Sequence, residues 1–73
     1  MYKYLIVIEK ARENFSAYAP DLPGCVATGQ TREETEKRMI EAIELHIHGM
    51  LKDGLPITRQ EAYASVYAIP EHG

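Results

Sequence analysis

A reactive thiol, a metal cage and a carboxylate cluster each need particular side chains at particular spacings, and the 73-residue sequence offers a candidate for each. The single cysteine, Cys25, closes the stretch YAPDLPGC. A catalytic thiol needs its pKa depressed by a histidine, a base or a helix N-terminus. All three histidines lie in the second half of the chain, and no spacing pairs one with Cys25. Cys25 is therefore expected to act as a small buried hydrophobe at a strand start. His46 and His48 are two apart, so on a helix they point about 200° away from each other and cannot share a metal ion. Glu44 stands four residues before His48 and can pair with it on the wet side.

Two-metal hydrolysis of a phosphodiester needs several carboxylates converging on ions about 3.5–4 Å apart. Residues 4–8 hold no acid, Glu9, Glu13 and Asp21 fall at strand ends or in loops, and Glu41 and Glu44 fall on the polar side of a helix. This pattern reads as a solvated face. No catalytic residue, metal site or cofactor is expected, and the chain is expected not to be an enzyme.

The elements around these residues follow from periodicity. Residues 2–9 are rich in aromatic and β-branched side chains, with Tyr2, Tyr4, Ile6 and Ile8 on one face and Leu5 and Val7 on the other. Both faces are apolar, which predicts a strand inside the sheet with cover on each side. KAREN makes a turn, and residues 14–19 make a second, shorter strand. Pro20 and Pro23 end it because neither can donate to a ladder, Gly24 turns the corner, and a third strand covers roughly residues 25–28. Thr31-Arg-Glu-Glu is a capping box in which the Thr31 hydroxyl and Glu34 satisfy the first helical amides. Met39, Ile40, Ile43, Ile47, Met50 and Leu51 then share an arc of roughly 120°, the width of a core-facing stripe. On the opposite side, Glu33–Lys37 and Glu34–Arg38 can pair. Gly54 supplies a left-handed cap and Pro56 blocks extension. Residues 63–69, YASVYAI, alternate as a last strand, although Thr58-Arg-Gln-Glu could instead cap a short helical turn. The predicted fold is α+β, in the order β-β-β-α-β: a mainly antiparallel sheet with one long helix on one face.

A chain this short buries only roughly 60% of its unfolded surface and needs a staple. With one cysteine and no zinc spacing, self-association remains, so a homo-oligomer (dimer or tetramer) is expected. Tyr2, Tyr4, Tyr63 and Tyr67 fall on strands expected to be neighbours and form the candidate oligomer or partner surface, since tyrosine joins a large apolar body to a polar tip. Eleven acids against eight bases give a net charge of −3, which argues against a phosphate-binding surface. The apolar run at residues 4–8 is too short for a signal peptide or a membrane span. One domain over residues 1–73, located in the cytoplasm and away from membranes, is the expectation.

The run YAPDLPGCVATGQTREETEKRMIEAIELHI resembles the HicB antitoxins of HicA–HicB toxin–antitoxin systems. The similarity rests on Tyr18, Pro20, Asp21, Leu22, Pro23, Gly24, Cys25, Thr28, Gly29, Thr31, Glu33, Glu34, Glu41, Ala42 and Ile43. The resemblance implies a partial RNase H-like fold whose role is to bind and neutralise a small HicA-type toxin ribonuclease. It also makes Tyr18, the PDLPGC loop, Gly29, Thr31 and Glu34 a structural signature. Members often carry a C-terminal DNA-binding domain; after Ile69 the sequence holds only PEHG, too short for one, so direct DNA binding is not expected. An orphan self-assembling domain and a residual nuclease are the alternatives.

Overall fold

The computed structural model describes residues 2–71. Three strands and one helix follow in chain order: β1 (Val7–Lys10), β2 (Phe15–Tyr18), β3 (Val26–Gly29) and α1 (Arg32–Lys52). The strands form one antiparallel sheet in the order β1-β2-β3. The fold is α+β, with the helix over one face of the sheet. The β1–β2 hairpin closes through a bond from the Ala11 amide to the Asn14 carbonyl, 2.8 Å.

The register puts Ile8, Ala17 and Ala27 in one row across the sheet. That row faces α1, and the core forms around Ala17, Ala19, Leu22, Cys25 and Met39, with Tyr4, Ile6, Ile8, Ala27 and Ile43 packed against it. The small side chains on β2 and β3 let the helix come close. The approach is close at Gly29, where a Cβ would lie 2.6 Å from Thr35 Oγ1 and 2.9 Å from the Thr35 amide nitrogen. Thr35 is fully buried, and its hydroxyl donates to the Thr31 carbonyl at 2.7 Å.

The helix ends follow the sequence closely. The Thr31 hydroxyl accepts from the Glu34 amide at 3.0 Å, and the Glu34 carboxylate reaches back to the Gln30 amide at 3.4 Å. At the other end the Leu55 amide donates to the Met50 carbonyl at 2.9 Å and the Gly54 amide to the Leu51 carbonyl at 3.2 Å. With Gly54 at φ 68°, this is a Schellman cap, which satisfies carbonyls that the helix itself cannot. Glu34 pairs with Arg38 at 3.1 Å; Glu33 and Lys37 form no ion pair among the described residues. Ile40 and Leu51, expected in the buried stripe, are exposed; the helix lies chiefly over β3 and β2, and a sheet of three short strands does not cover all of its apolar arc.

Two expectations about strands are corrected. The first strand forms its ladder over Val7–Lys10 only and lies at the sheet edge, not inside it. Residues 63–69 form no strand in this chain, and the 58–61 helical turn is absent too. The two outcomes have one cause: the strand that would have flanked β1 is not laid beside it, so β1 keeps a free edge and residues 2–6 find no ladder partner.

Substituting Gly29→Ala should lower stability by about 1–3 kcal/mol, the usual range for an overpacked core, because the obstacle includes Thr35 backbone. Thermal unfolding read by the helix signal checks this, and an unchanged midpoint would show that the helix and β3 are not held this closely.

Candidate protein-interaction surfaces

The PDLPGC loop joins β2 to β3 and is built from its backbone outward. Pro20 and Pro23 keep the residues before them out of helical geometry. The Leu22 amide bonds the Ala19 carbonyl at 3.0 Å and the Cys25 amide bonds the Leu22 carbonyl at 3.1 Å. Gly24 takes φ 89°. These two tight turns push Leu22 inward, and it is 1% exposed although it belongs to a loop. Asp21 points the other way. Its Oδ2 accepts from the Glu61 amide at 3.1 Å and the Ala62 amide at 3.2 Å. Forty residues of chain separate these partners, so Asp21 fastens the segment after the helix to the β2–β3 loop. Asp21 is thus not one of the solvated acids expected from sequence: its partners are backbone amides, which leave no residue-type signal.

Cys25 is buried, and its Sγ lies 3.9 Å from the Ala42 carbonyl as a weak donor. Desolvation raises its thiol pKa above the ordinary value of 9.0, the reverse of what a nucleophile needs. His46 is half-buried and His48 exposed on α1. Among the described residues, no three His, Cys, Asp or Glu side chains lie close enough together to hold a metal ion. No helix among them is long and apolar enough to cross a membrane.

Three surfaces remain available for contact. On the sheet face away from α1, the register aligns Val7, Tyr18 and Val26 in one row, and Val26 is 66% exposed. On the outer side of α1, Glu33, Glu36, Glu41 and Glu44 surround the exposed Ile40, with Lys37 as the one base lining that shallow groove. The third surface gathers some of the tyrosines. Tyr2 and Tyr4 line a cleft with residues 56–60, and the Tyr4 hydroxyl donates to the Thr58 carbonyl. Burial raises the Tyr4 pKa, with the negative charges of Tyr2 and Asp21 adding to the effect. Tyr63 and Tyr67 do not join them on a neighbouring strand; they are 79% and 78% exposed on an unpaired segment.

Residues 4–73 match the family model for the HicB-like antitoxin of bacterial toxin–antitoxin systems. The chain is 35% identical over 69 residues to a 14.9 kDa protein of the rep–hol intergenic region of Haemophilus phage HP1, covering 94% of this chain and 52% of that protein. It is 32% identical over 62 residues to a UPF0150 protein of Synechocystis, covering 84% of this chain and 78% of the relative. In structure it resembles a chain of the HicA3 and HicB3 toxin–antitoxin complex, with a TM-score of 0.63 and 36% identity over 75% of this chain. This chain thus spans about half the length of the phage protein and 64% of that solved chain.

Removing the carboxylate with Asp21→Ala should raise hydrogen exchange at the Glu61 and Ala62 amides by about 10- to 100-fold, as expected for losing bonds to a charged acceptor. The amides of α1 should keep their rates. Equal exchange at residues 61 and 62 in both proteins would count against the fastening. For Cys25, folding should slow alkylation on the order of 100-fold relative to the unfolded chain. Its burial also ties stability to pH. The neutral thiol is favoured by the fold, so its contribution is complete below the unfolded value near 9.0 and is lost as pH rises through the folded one. Titrating the unfolding midpoint upward from pH 8 in wild type and Cys25→Ala checks the sign: the variant should lose stability less steeply.

Proposed function

This chain belongs to the HicB-like antitoxin family, and from that premise we propose that it binds and neutralises a small HicA-type toxin ribonuclease, working by contact and not by catalysis. The observation that carries the reading is the 36% identity, over three quarters of the chain, to a chain of a toxin–antitoxin complex. The surface chemistry agrees. A ribonuclease that holds RNA presents positive charge to it, and the glutamates around Ile40 offer an acidic frame with an apolar centre. Complementary charge of this kind speeds encounter and rejects wrong partners, while the apolar contact slows release. In this reading the protein acts as a homo-oligomer, dimer or tetramer, with a partial RNase H-like sheet and helix serving as a binding platform.

Self-assembly without a toxin is the second reading, and the exposed, unpaired residues 63–69 favour it. The two are separated by co-expressing the chain with a small basic ribonuclease encoded beside it. Growth should be restored and a stable complex recovered. Charge reversal at Glu36, Glu41 and Glu44 should slow association by about 10-fold or more at low salt and less at high salt. If neither rescue nor a complex is seen, toxin binding is excluded for that pair and the self-assembly reading stands.

A further inference from the structure

Residues 63–69 have the composition of a strand and none of its bonds. Tyr63, Ser65, Tyr67 and Ile69 alternate with Ala64, Val66 and Ala68, and the segment carries no charge. Yet Tyr63, Val66, Tyr67 and Ile69 are 79%, 100%, 78% and 82% exposed. So much contiguous apolar surface on a soluble chain marks a contact site. The overall shape agrees. The radius of gyration is 14.9 Å, against about 11 Å for a compact chain of this length. The accessible surface is 6201 Å², against about 4,600 Å² for a folded monomer of this mass.

The acceptor lies on the same chain. β1 is bonded on one side only, and its edge carries none of the prolines that elsewhere blunt an exposed strand. Between the segment that leads into β1 and the second half of α1, Tyr2, Tyr4, Ile43, Ile47 and Leu51 line a mostly apolar groove to which Glu44 and His48 add the polar side chains. A strand laid along β1 would bond that edge and set one side of its alternating residues in this groove. Its own tail does not do so. Residues 56–60 lie against Tyr2 and Tyr4, Asp21 on the β2–β3 loop then holds the Glu61 and Ala62 amides, and residues 63–69 beyond them form no ladder with β1.

We infer that residues 63–69 are a donated strand, which pairs with the free β1 edge of a second copy of this chain while that copy's tail pairs with the first. Donor and acceptor occur once on each copy and are not paired with each other within it, so reciprocal exchange about a two-fold axis satisfies both and closes the assembly. Seven extended residues span about 23 Å, enough to cover all of β1 and part of residues 2–6. Two tails, each bringing two tyrosines, a valine and an isoleucine, would bury on the order of 1,000 Å² or more, the size of a stable interface. This rests on the proposed self-association and is independent of toxin binding.

Val66 is the position to change, because it is fully exposed in its own chain and its replacement costs that chain nothing. Val66→Pro removes a ladder donor twice per dimer and should weaken the dimer by about 100-fold in sedimentation equilibrium. Val66→Lys serves as a second variant, and circular dichroism should show the helix intact in both. In a mixture of differently isotope-labelled full-length copies, the wild type should give interchain contacts between residues 63–69 and β1. Contacts within one chain only, or a tail that becomes ordered only when a toxin is added, would overturn the exchange. So would an oligomer that both variants leave unchanged, which would keep self-association and move it to another face.

Discussion

The contact on which the rest of the structure depends is the approach of Thr35 to Gly29. It sets the depth at which the first turns of α1 sit on β3, and everything farther along the helix inherits that depth. Met39 can then be fully buried, Ile43 reaches the alanines of β2 and β3, and Cys25 faces the Ala42 carbonyl. Thr35 suits the place because its hydroxyl bonds back within the helix and so enters the core without an unmet polar group. The capping residue, Thr31, serves both ends of this arrangement, taking the Glu34 amide on its side chain and the Thr35 hydroxyl on its carbonyl.

Around that contact, the signature loop acts as a joint with two outputs. Its turns drive Leu22 into the core and leave Asp21 to hold the chain that follows the helix. The family-like character of the stretch therefore has a mechanical content. One residue seals the end of the sheet, and its neighbour decides where the last part of the chain leaves it. The surfaces left over are an acidic helix groove, a short apolar row on the open sheet face, and the cleft of Tyr2 and Tyr4, beyond which residues 63–69 stay exposed and unpaired.

Local signals were read well from sequence because they depend on neighbours a few residues away. The capping box at Thr31, the left-handed Gly54 and the alternation in β2 belong to this kind. The misplaced features all depend on distant partners. Residues 2–9 look like a central strand because both faces are apolar, yet Tyr4 and Ile6 pack against the core from an extended segment without ladder bonds. Residues 63–69 carry strand periodicity, but periodicity does not say which edge a strand will meet. Asp21 looked like one more surface acid because a bond to backbone amides forty residues away depends on the path of the chain and not on which side chains lie there. Gly29 is legible only as a signature glycine and Thr35 carries no signal of its own; their contact exists only once the helix lies on the sheet.

The small residues beneath the helix have a further consequence, for lifetime. A layer made of Ala17, Ala19, Ala27 and Gly29 permits close packing but buries little apolar area per residue. A core that buries little area costs little to open, and proteases act on the open form. Any partner that engages only the closed form subtracts from the time spent open, in proportion to how much of it is bound. A core this thin would couple survival to occupancy, since a copy held closed by a partner would be open to cutting for less of the time than a copy alone.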